Sequence, residues 1–304
     1  MKIIGITGGT GFVGTYLRER LIAAGYKVIV FSRSKNGNQD NLEFAQWDAV
    51  KRTIDKEALK KLDGIVHLAG AGIADKRWTE ERKQIILKSR TEATDFLVES
   101  LQENAPNCKV FVAASAIGYY GADKGSKSFV ESDEPGNDFL ADVCAQWEAA
   151  SQKASAFARI VIFRVGIVLG SGGGAFPQLA GSMKFGAMPI LGTGKQMVSW
   201  VQICDLVCMM KTALKDEAYS GIYNAVSPQP VSNKAMMEAI AKAKGGLKIP
   251  FHVPAFLLRI IMGESGIEVL KSCTVSCKKL AEAGFVFQYP TIEMAIDKIL
   301  TNKS

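Results

Sequence analysis

A glycine pattern near the start of the chain limits how it can fold more than any other sequence feature. An apolar run over residues 2–7 leads directly into Gly8-Gly9-Thr10-Gly11-Phe12-Val13-Gly14, and a helical pattern and a second apolar run, Val28–Phe31, follow. In such a turn the first glycine permits the tight bend, the second lets a pyrophosphate approach the backbone, and the third packs the helix against the strand. The sequence therefore predicts a strand, turn, helix and strand that bind the phosphates of a dinucleotide at the start of the helix.

The residues around this turn are the predicted contacts for the dinucleotide. Within the turn they are Gly8, Thr10, Gly11, Phe12, Val13 and Gly14. The end of the second strand selects the cofactor, because an acid there binds the ribose 2′-hydroxyl of NAD and a cation accommodates the 2′-phosphate of NADP. Here the strand ends in Ser32 and Arg33 without an acid, and an arginine offers a planar set of donors to a phosphate. We therefore predict NADP(H), with a solvated surface arginine as the alternative interpretation.

The composition narrows the class of protein. With 304 residues the chain could be one large domain or two, and 48% hydrophobic and 22% charged residues are ordinary for a soluble globular protein. The net charge of +7 includes no dense basic block, so no nucleic-acid partner is expected. No segment has the pattern of a signal peptide or a membrane span, and the run Ala255–Met262 is predicted to be a buried helix. We expect a cytoplasmic protein without a membrane partner.

Cysteine and histidine usage is consistent with that compartment and argues against a metal site. The six cysteines contain no CxxC pair, so they are predicted to be reduced thiols, mostly buried. The two histidines, His67 and His252, are far apart in sequence, so no histidine-based metal site is expected. His67 lies inside an apolar run and is predicted to be a core histidine with its hydrogen bonds satisfied rather than a catalytic one.

Alternating strand and helix patterns predict the fold class. Strands are predicted at Leu42–Trp47, Gly64–Gly70, Val110–Ser115 and Arg159–Arg164, and helices at Asp55–Leu62, Thr79–Asn104 and Phe139–Ser155. This rhythm predicts an α/β fold, a Rossmann-type doubly wound parallel sheet with a smaller α+β C-terminal lobe. We predict an NADP-binding domain over residues 1–165, rejoined by a segment at about 195–227, and a discontinuous substrate-binding lobe over residues 166–304. The cleft between them, outside the carboxyl ends of the strands, is the expected ligand site.

Further motifs, in this order along the chain, carry a resemblance to a known family. They are His67-Leu68-Ala69-Gly70-Ala71-Gly72, Ser115-Ala116-Ile117-Gly118-Tyr119-Tyr120-Gly121, Phe139–Cys144 with Trp147-Glu148, Arg164–Gly170, Val198–Asp205, Tyr223-Asn224-Ala225 with Pro228, and Lys279-Leu280 before Gly284-Phe285. With the glycine turn they span nearly the whole chain. The sequence resembles the atypical, epimerase-like branch of the extended short-chain dehydrogenase/reductases, a group often labelled nucleoside-diphosphate-sugar epimerases.

The resemblance implies further contacts to the cofactor. It implies that Leu68, Ala69 and Gly70 end a strand beside the cofactor, where small residues let the chain pass. It also implies that the helical stretch containing Arg90 lies behind the cofactor, with a solvated charged face as the alternative. Asp48, which follows the third strand, would touch the adenine or else cap a turn. No metal contact is implied by any of these residues.

The catalytic pair that this family normally uses is missing from its expected place. Members use a tyrosine as general acid/base and a lysine four residues later on one helix face, beside a serine at a strand end that orients the substrate carbonyl. Ser115 stands at the serine position and contacts cofactor and substrate by the same resemblance. On the matching helix, Phe139–Ser155, the tyrosine and lysine positions are Leu140 and Cys144, and neither can do that chemistry.

Three residues remain as catalytic candidates: Ser115, Tyr119 and Tyr120. The two tyrosines follow the strand that Ser115 ends, and the alternative interpretation for them is one packed ring and one ring exposed at its edge. The one literal YxxxK, from Tyr120 to Lys124, contains a glycine and follows a strand, so it is interpreted as a loop and a coincidence.

Two functions from different classes fit these residues. The first is an NADP(H)-dependent epimerase or oxidoreductase that transfers hydride to or from a small carbonyl, alcohol or sugar-nucleotide-like substrate. The alternative is an NADPH-binding sensor or regulatory protein that kept the fold and lost the chemistry. The missing tyrosine and lysine favour the sensor, whereas a complete cleft with Ser115 favours the enzyme.

Overall fold

The computed structural model describes residues 2–34, 39–123 and 128–301, and only the backbone of residues 184 and 185. The strands in this part of the chain are β1 (Ile3–Thr7), β2 (Lys27–Ser32), β3 (Leu42–Asp48), β4 (Thr53–Ile54), β5 (Gly64–His67), β6 (Val110–Ala116), β7 (Arg159–Val165), β8 (Ile167–Gly170), β9 (Gly173–Gly174), β10 (Ala187–Leu191), β11 (Met197–Val198), β12 (Trp200–Gln202), β13 (Gly221–Ala225), β14 (Val231–Ser232) and β15 (Ile249–Val253).

The helices between them are α1 (Phe12–Ala23), α2 (Lys56–Lys60), α3 (Glu80–Lys88), α4 (Thr91–Asn104), α5 (Phe139–Gln152), α6 (Phe176–Gly181), α7 (Ile203–Lys215), α8 (Asn233–Lys244), α9 (Ala255–Met262), α10 (Ser265–Glu268), α11 (Lys278–Glu282) and α12 (Ile292–Thr301). Short 3-10 helices span Ile117–Tyr120, Lys153–Ala156 and Ser182–Phe185.

Eight strands form one large sheet in the order β13-β7-β6-β5-β1-β2-β3-β4. Every neighbouring pair is parallel except β3 and β4. The order reverses at β1, because the chain builds outward through β2 and β3 and then returns to place β5 on the other side of β1. A ligand crevice lies outside the carboxyl ends of the strands at such a reversal. The sheet confirms the predicted Rossmann-type doubly wound fold.

Helices cover both faces of this sheet, and each face has its own apolar core. Successive strand residues point to opposite faces. On β6, Val110 and Val112 therefore pack in the cluster that includes residues of α1 and α7. Phe111 and Ala113 pack in the cluster that includes residues of α4. Burial on both faces explains why the parallel strands are continuous apolar runs in the sequence.

The rest of the chain forms three small sheets, β12-β8-β9, β10-β15 and β11-β14. They share an apolar cluster with α6, α8 and α12, in which Phe176, Trp200, Met236 and Ile296 are buried. The chain leaves the main sheet after β7 and returns to it at β13, which pairs in parallel with β7. The limits of the two predicted domains stay a prediction.

The helix predicted as one element over Thr79–Asn104 is two helices, α3 and α4, and this part of the prediction is wrong. The break falls at Ser89 and Arg90, whose side chains bond to the chain just past β5. Ser89 Oγ accepts a hydrogen bond from Ala71 N at 3.0 Å, and Arg90 Nη1 donates to Ala71 O at 3.0 Å. The helix is interrupted where its polar side chains hold the exit of the neighbouring strand.

The helix predicted over Ala255–Met262 forms as α9, but it is not buried as predicted. Only Leu258 of its residues is buried. Phe256, Leu257, Ile260 and Ile261 are 37–66% exposed. An eight-residue run in which Arg259 is the one charged residue gives little signal of which face meets the protein, so sequence alone overestimated its burial.

Candidate functional site

The turn between β1 and α1 lies against the end of β5. Gly8 has a φ of +70°, which favours glycine, and a Cβ added there would lie 2.9 Å from backbone atoms of Leu68 and Ala69. A Cβ on Gly14 would lie 2.3 Å from the carbonyl oxygen of Gly8, so only glycine lets α1 pack this closely. Gly8 and Gly14 therefore have the structural roles that their spacing predicted, and the turn adjoins two other predicted cofactor contacts.

The first turn of α1 presents backbone donors without a side-chain cap. Gly11 is the N-cap residue, and the first turn of the helix contains no acidic residue. By contrast, Asp55, Thr79 and Asp138 cap α2, α3 and α5 with side-chain oxygens. A Cβ on Gly11 would meet the carbonyl oxygen of Gly8 at 3.3 Å and no other atom within 4 Å. The start of α1 can therefore take an anion, which its dipole and its N–H groups favour.

Phe12, at the start of α1, packs against the glycine-rich strands of the second half. Cβ atoms added to Gly170 and Gly173 would lie 2.6 and 2.8 Å from the Phe12 ring. Thr10 is exposed and Val13 is half-buried beside it. The predicted phosphate turn and the hairpin of β8 and β9 therefore border each other. The glycines of the hairpin make room for the Phe12 ring at the start of α1.

The ends of β2 and β3 lie side by side, as parallel neighbours do. Arg33 is exposed just past β2, and its backbone carbonyl accepts from Gln46 Nε2 at 3.4 Å. The Ser32 hydroxyl donates to a carbonyl two residues further on. Asp48 ends β3, and its Oδ1 accepts from two backbone N–H groups of the following turn at 3.0 and 3.2 Å. Asp48 thus has the turn-capping role that was the alternative to an adenine contact.

Arg90 supports the exit of β5 from behind. Its guanidinium lies 5.1 Å from the ring centroid of Trp147, and Nη1 donates to Ala71 O at 3.0 Å. A Cβ on Gly70 would lie 3.2 Å from Arg90 Cζ. Burial lowers the pKa of Arg90. Arg90 therefore fixes the segment predicted to pass beside the cofactor, and its own contact with a cofactor stays a prediction.

His67 is a buried histidine with both ring nitrogens hydrogen-bonded, as predicted. Nδ1 lies 2.6 Å from Thr7 Oγ1, and Nε2 lies 2.9 Å from Thr94 Oγ1. Because the Thr94 hydroxyl donates to Arg90 O, its oxygen accepts from His67 Nε2–H, and Nδ1 accepts from Thr7. Burial, and secondarily the charge of Arg90, lower the pKa of His67 to about 3.

A buried polar network occupies the carboxyl ends of β6 and β7. Ser115 Oγ donates to Glu148 Oε1 at 2.7 Å. Arg164 donates two parallel hydrogen bonds to the same carboxylate, from Nε to Oε1 and from Nη2 to Oε2, both at 2.9 Å. Burial alone would lower the pKa of Arg164, but the hydrogen bonds and charge of Glu148 raise it above its ordinary value. A Glu148 carboxylate paired in this way can only accept hydrogen bonds. Ser115 therefore donates its one hydroxyl proton to Glu148.

Tyr119 and Tyr120 occupy different positions around Arg164. The Arg164 guanidinium carbon lies 3.4 Å from the ring centroid of Tyr119, which is half-buried. Tyr120 is buried and stacks on Phe129 with ring centroids 4.9 Å apart. Its hydroxyl donates to Asn224 Oδ1 at 2.7 Å and accepts from Arg164 Nη1 at 2.9 Å. Burial raises the pKa of Tyr120 to about 12, so it is a poor proton donor near neutral pH.

The helix that carries the family's tyrosine and lysine contains neither residue. α5 places Leu140 and Cys144 near the chain just past β6, where a Cβ on Gly118 would lie 3.4 Å from Leu140 Cβ and 3.8 Å from Cys144 Sγ. Burial, and then the nearby Glu148 carboxylate, raise the pKa of Cys144 to about 12. The thiol is therefore neutral near neutral pH and supplies no charge. Lys124, the end of the literal YxxxK, lies outside the described residues.

Sequence reasoning missed three members of the buried network: Glu148, Arg164 and Asn224. All three residues belong to motifs that carry the family resemblance, but no role in the site was predicted for any of them. A charged residue in an apolar strand, such as Arg164 at the end of Arg159–Val165, was the available signal, because a buried arginine needs a carboxylate partner. The partner itself lies on the preceding helix and could not be chosen from sequence spacing.

Residues 2–34, 39–123 and 128–301 contain neither a metal site nor a membrane span. No group of three histidine, cysteine or acidic side chains there could hold a metal ion. No helix of these segments is long and apolar enough to cross a membrane. The six cysteines are free, and four of them are buried.

Comparison with known proteins assigns the family. The model of the NAD dependent epimerase/dehydratase family matches residues 4–225, and a domain of unknown function, DUF1731, matches residues 253–299. The chain is 34% identical to the epimerase family protein YfhF of Bacillus subtilis, over 99% of this chain and 98% of the relative. It is 32% identical to a chloroplastic homologue of epimerase family protein SDR39U1 from Arabidopsis thaliana, over 98% of this chain and 86% of the relative.

A solved structure agrees with the sequence relatives. The crystal structure of human epimerase family protein SDR39U1, isoform 2, with NADPH superposes with a TM-score of 0.86 and 25% identity, and it covers 99% of both chains. The fold and site thus define an epimerase-like member of the extended short-chain dehydrogenase/reductases. The chain belongs to the NAD dependent epimerase/dehydratase family.

Proposed function

We propose that the protein binds NADP(H) at the start of α1 and transfers hydride to or from a carbonyl or alcohol carbon of a small or sugar-nucleotide-like substrate. The observation that carries the proposal is the uncapped N-terminus of α1, framed by Gly8 and Gly11 and bordered by Leu68 and Ala69. Its donors suit a pyrophosphate. The human relative whose structure holds NADPH supports the same cofactor.

The choice of NADP(H) over NAD(H) depends on Arg33. This exposed arginine follows β2, where an acid would hold the ribose of NAD, and residues 32–34 contain no acid. When bound, a nicotinamide cofactor supplies or accepts the hydride. The chain supplies the phosphate donors of α1, the guanidinium of Arg33 and a small-residue passage over residues 68–70, held from behind by Arg90.

Ser115 is the polar group proposed to meet the substrate. Because its proton is donated to Glu148, its oxygen can accept a hydrogen bond from a substrate hydroxyl but has no second proton to donate. Arg164 keeps Glu148 in place through two hydrogen bonds. Tyr119, under the Arg164 guanidinium, is the other side chain proposed to reach the substrate.

Titration with NADPH and NADH tests the cofactor proposal. A charge-assisted bond to the 2′-phosphate contributes about 1.5–3 kcal/mol, so the wild type should prefer NADPH by about tenfold or more. Arg33→Ala should remove most of that preference and leave NADH affinity unchanged. Arg18→Ala is the control. Arg18 lies on α1 and its Nη1 donates to Gly9 O at 3.5 Å, so its loss should not change the preference for NADPH over NADH. Equal affinity of the wild type for the two cofactors contradicts the proposal.

A second candidate function, an NADPH sensor, is favoured by the closed hydrogen-bond network. The hydroxyl protons of Ser115 and Tyr120 are both donated within the protein, to Glu148 and Asn224. Of the three catalytic candidates, this leaves Tyr119 alone to act as a general acid, a group worth roughly 10²–10⁴-fold in rate. Assays of NADPH oxidation and NADP reduction on carbonyls, secondary alcohols and sugar nucleotides discriminate the two functions. Turnover that falls in Ser115→Ala at unchanged NADPH affinity supports the enzyme, and tight NADPH binding without turnover supports the sensor.

A further inference from the structure

Arg90 is a half-buried cation without an acidic partner. Its Nη1 donates to the backbone carbonyls of Ala71 and Ile86 at 3.0 and 3.1 Å, and its guanidinium lies 5.1 Å from the ring centroid of Trp147. It forms no ion pair with any acid in the part of the chain that the structure describes. A charge withdrawn from water is normally paired with a counter-charge, as Arg164 is in the same domain. Arg90 is therefore an uncompensated positive charge.

The groups around Arg90 do not cancel its charge. Burial lowers the pKa of Arg90, the Cys144 thiol opposes this effect, and the positive charge of Arg82 adds to it. The thiol is neutral near neutral pH, since burial raises the pKa of Cys144 to about 12. Arg82 has only Asp75 as an acidic partner, at 3.7 Å, and the Asp75 side chain is 68% exposed. The Glu148 carboxylate is already paired within the buried network.

One end of the Arg90 guanidinium adjoins the exit of β5. A Cβ added to Gly70 would lie 3.2 Å from Arg90 Cζ and 3.4 Å from its Nη2. Gly70 is exposed and has no side chain to cover the guanidinium. Arg90 Nε and Nη2 donate to none of the described residues. The positive charge thus lies directly behind an open part of the chain.

The order of the strands places this charge beside one half of the proposed cofactor. Its phosphates would bind at the start of α1, after β1, and its adenosine would lie over β2, where Arg33 is proposed to bind the 2′-phosphate. In the order β6-β5-β1-β2, the nicotinamide half then extends over the ends of β5 and β6. Neighbouring strands are about 4.8 Å apart, so these ends lie roughly 5 and 10 Å from β1. Gly70, with Arg90 behind it, follows the nearer of the two strands.

We propose that Arg90 makes the protein bind NADPH in preference to NADP⁺. The inference rests on the proposed function, because it requires an NADP(H) cofactor in this cleft. The oxidised nicotinamide ring carries a positive charge and the reduced ring is neutral, so a fixed cation nearby disfavours the oxidised ring alone. The phosphates are the same in both forms, so their contacts with Arg33 and α1 cancel when the two affinities are compared.

The size of the preference depends on the distance between the two charges. Two unit charges about 10 Å apart, at an effective dielectric constant of about 20, change a binding equilibrium by roughly tenfold or more. Salt screens partly buried charges less than exposed ones. We therefore expect Arg90 to lower the Kd for NADPH by about tenfold relative to the Kd for NADP⁺. In either candidate function, the reduced cofactor then occupies the cleft when both forms are present at equal concentration.

Isothermal titration of the full chain with NADPH and with NADP⁺ tests the proposal. The quantity compared is the Kd for NADP⁺ divided by the Kd for NADPH. Arg90→Gln removes the charge and should lower this ratio by about tenfold. Arg90→Lys keeps the charge and should keep most of the wild-type ratio. Arg33→Ala is the control, since it should weaken the binding of both forms equally and leave the ratio unchanged.

A purely structural role for Arg90 gives a different pattern. Loss of the hydrogen bonds to Ala71 and Ile86 should lower the thermal midpoint of the apo protein in both Arg90 variants, but it has no reason to change the ratio. The thermal midpoint of each variant is therefore measured without cofactor. If Arg90→Gln does not fold, Arg90→Met takes its place, because methionine is also uncharged and fills the space of the arginine stem.

Three results overturn the inference while leaving the proposed function intact. The first is a wild type that binds NADPH and NADP⁺ equally well. The second is a ratio in Arg90→Gln that equals the wild-type ratio, which leaves Arg90 with the structural role only. The third is a ratio that Arg90→Lys loses as fully as Arg90→Gln, because charge is then not the cause. A wild type that binds neither form contradicts the proposed function, and the inference with it.

Discussion

Replacing His67 should remove a defined part of the protein's sensitivity to acid. The folded chain holds His67 neutral, because burial lowers its pKa from 6.5 to about 3. The unfolded chain binds the proton near pH 6.5, so unfolding takes up a proton as the pH falls below that value. The stabilisation is therefore complete above about pH 6.5 and is lost progressively between pH 6.5 and about 3.

The size of this loss of unfolding free energy depends only on the pH interval below the pKa of His67 in the unfolded chain. Each pH unit below the unfolded pKa costs about 1.4 kcal/mol until the folded pKa is reached. Between about pH 7 and about pH 5 the wild type should lose about 2 kcal/mol of unfolding free energy through His67. The figure does not depend on the exact folded value, since any folded pKa below about 4 gives nearly the same result.

Urea unfolding at about pH 7 and about pH 5 measures the effect. His67→Gln cannot titrate, so its pH dependence should be smaller than the wild type's by about 2 kcal/mol, whatever its absolute stability. His252→Gln is the matched control, because His252 is the other histidine of the chain and is exposed. If His67→Gln loses as much stability as the wild type over this interval, then another group binds the proton and the argument from burial is refuted.

Three other substitutions separate structural from binding roles. Gly14→Ala should lower the unfolding free energy by about 1–3 kcal/mol, because its Cβ would lie 2.3 Å from Gly8 O, and a thermal melt of the apo protein measures this. Gly11→Val should leave the apo melting temperature within a few degrees yet abolish NADPH protection in a thermal shift, since its Cβ would enter the space proposed for phosphate. Asp205→Asn should cost about 1–3 kcal/mol in urea unfolding, because the buried carboxylate accepts from both backbone N–H groups of residues 288–289 at 2.9 and 3.0 Å.

The parts that sequence predicted well are those fixed by local rules. The spacing of Gly8 and Gly14 requires close approach of backbone to backbone, and in the structure a Cβ added to Gly14 would lie only 2.3 Å from the carbonyl oxygen of Gly8. The alternation of apolar strands with helices was enough to predict the parallel sheet, because short connections leave few topologies. His67 was predictable for the same reason, as a lone histidine within an apolar strand has to satisfy its nitrogens in the core.

The features that the sequence did not predict depend on contacts between residues far apart in the chain. The break between α3 and α4 is set by bonds from Ser89 and Arg90 to Ala71, which no helical periodicity contains. The pairing of Glu148 with Arg164 joins helix α5 to strand β7. Both cases involve polar side chains whose geometry is decided only once the sheet has formed.

The bond between Tyr120 and Asn224 has a consequence for how the sheet is assembled. Parallel strands are joined by no hairpin, so nothing in the connecting chain fixes the register of β13 against β7. A slip of one residue would turn Asn224 to the opposite face, and a slip of two would move it by about 6.6 Å. Either slip leaves a buried hydroxyl without its acceptor and removes the bond from Asn224 N to Glu131 Oε1. The last strand of the main sheet in sequence, β13, is thus aligned by the same polar network that surrounds Arg164, and a fragment ending after β7 would keep the glycine turn while Tyr120 lacked its partner.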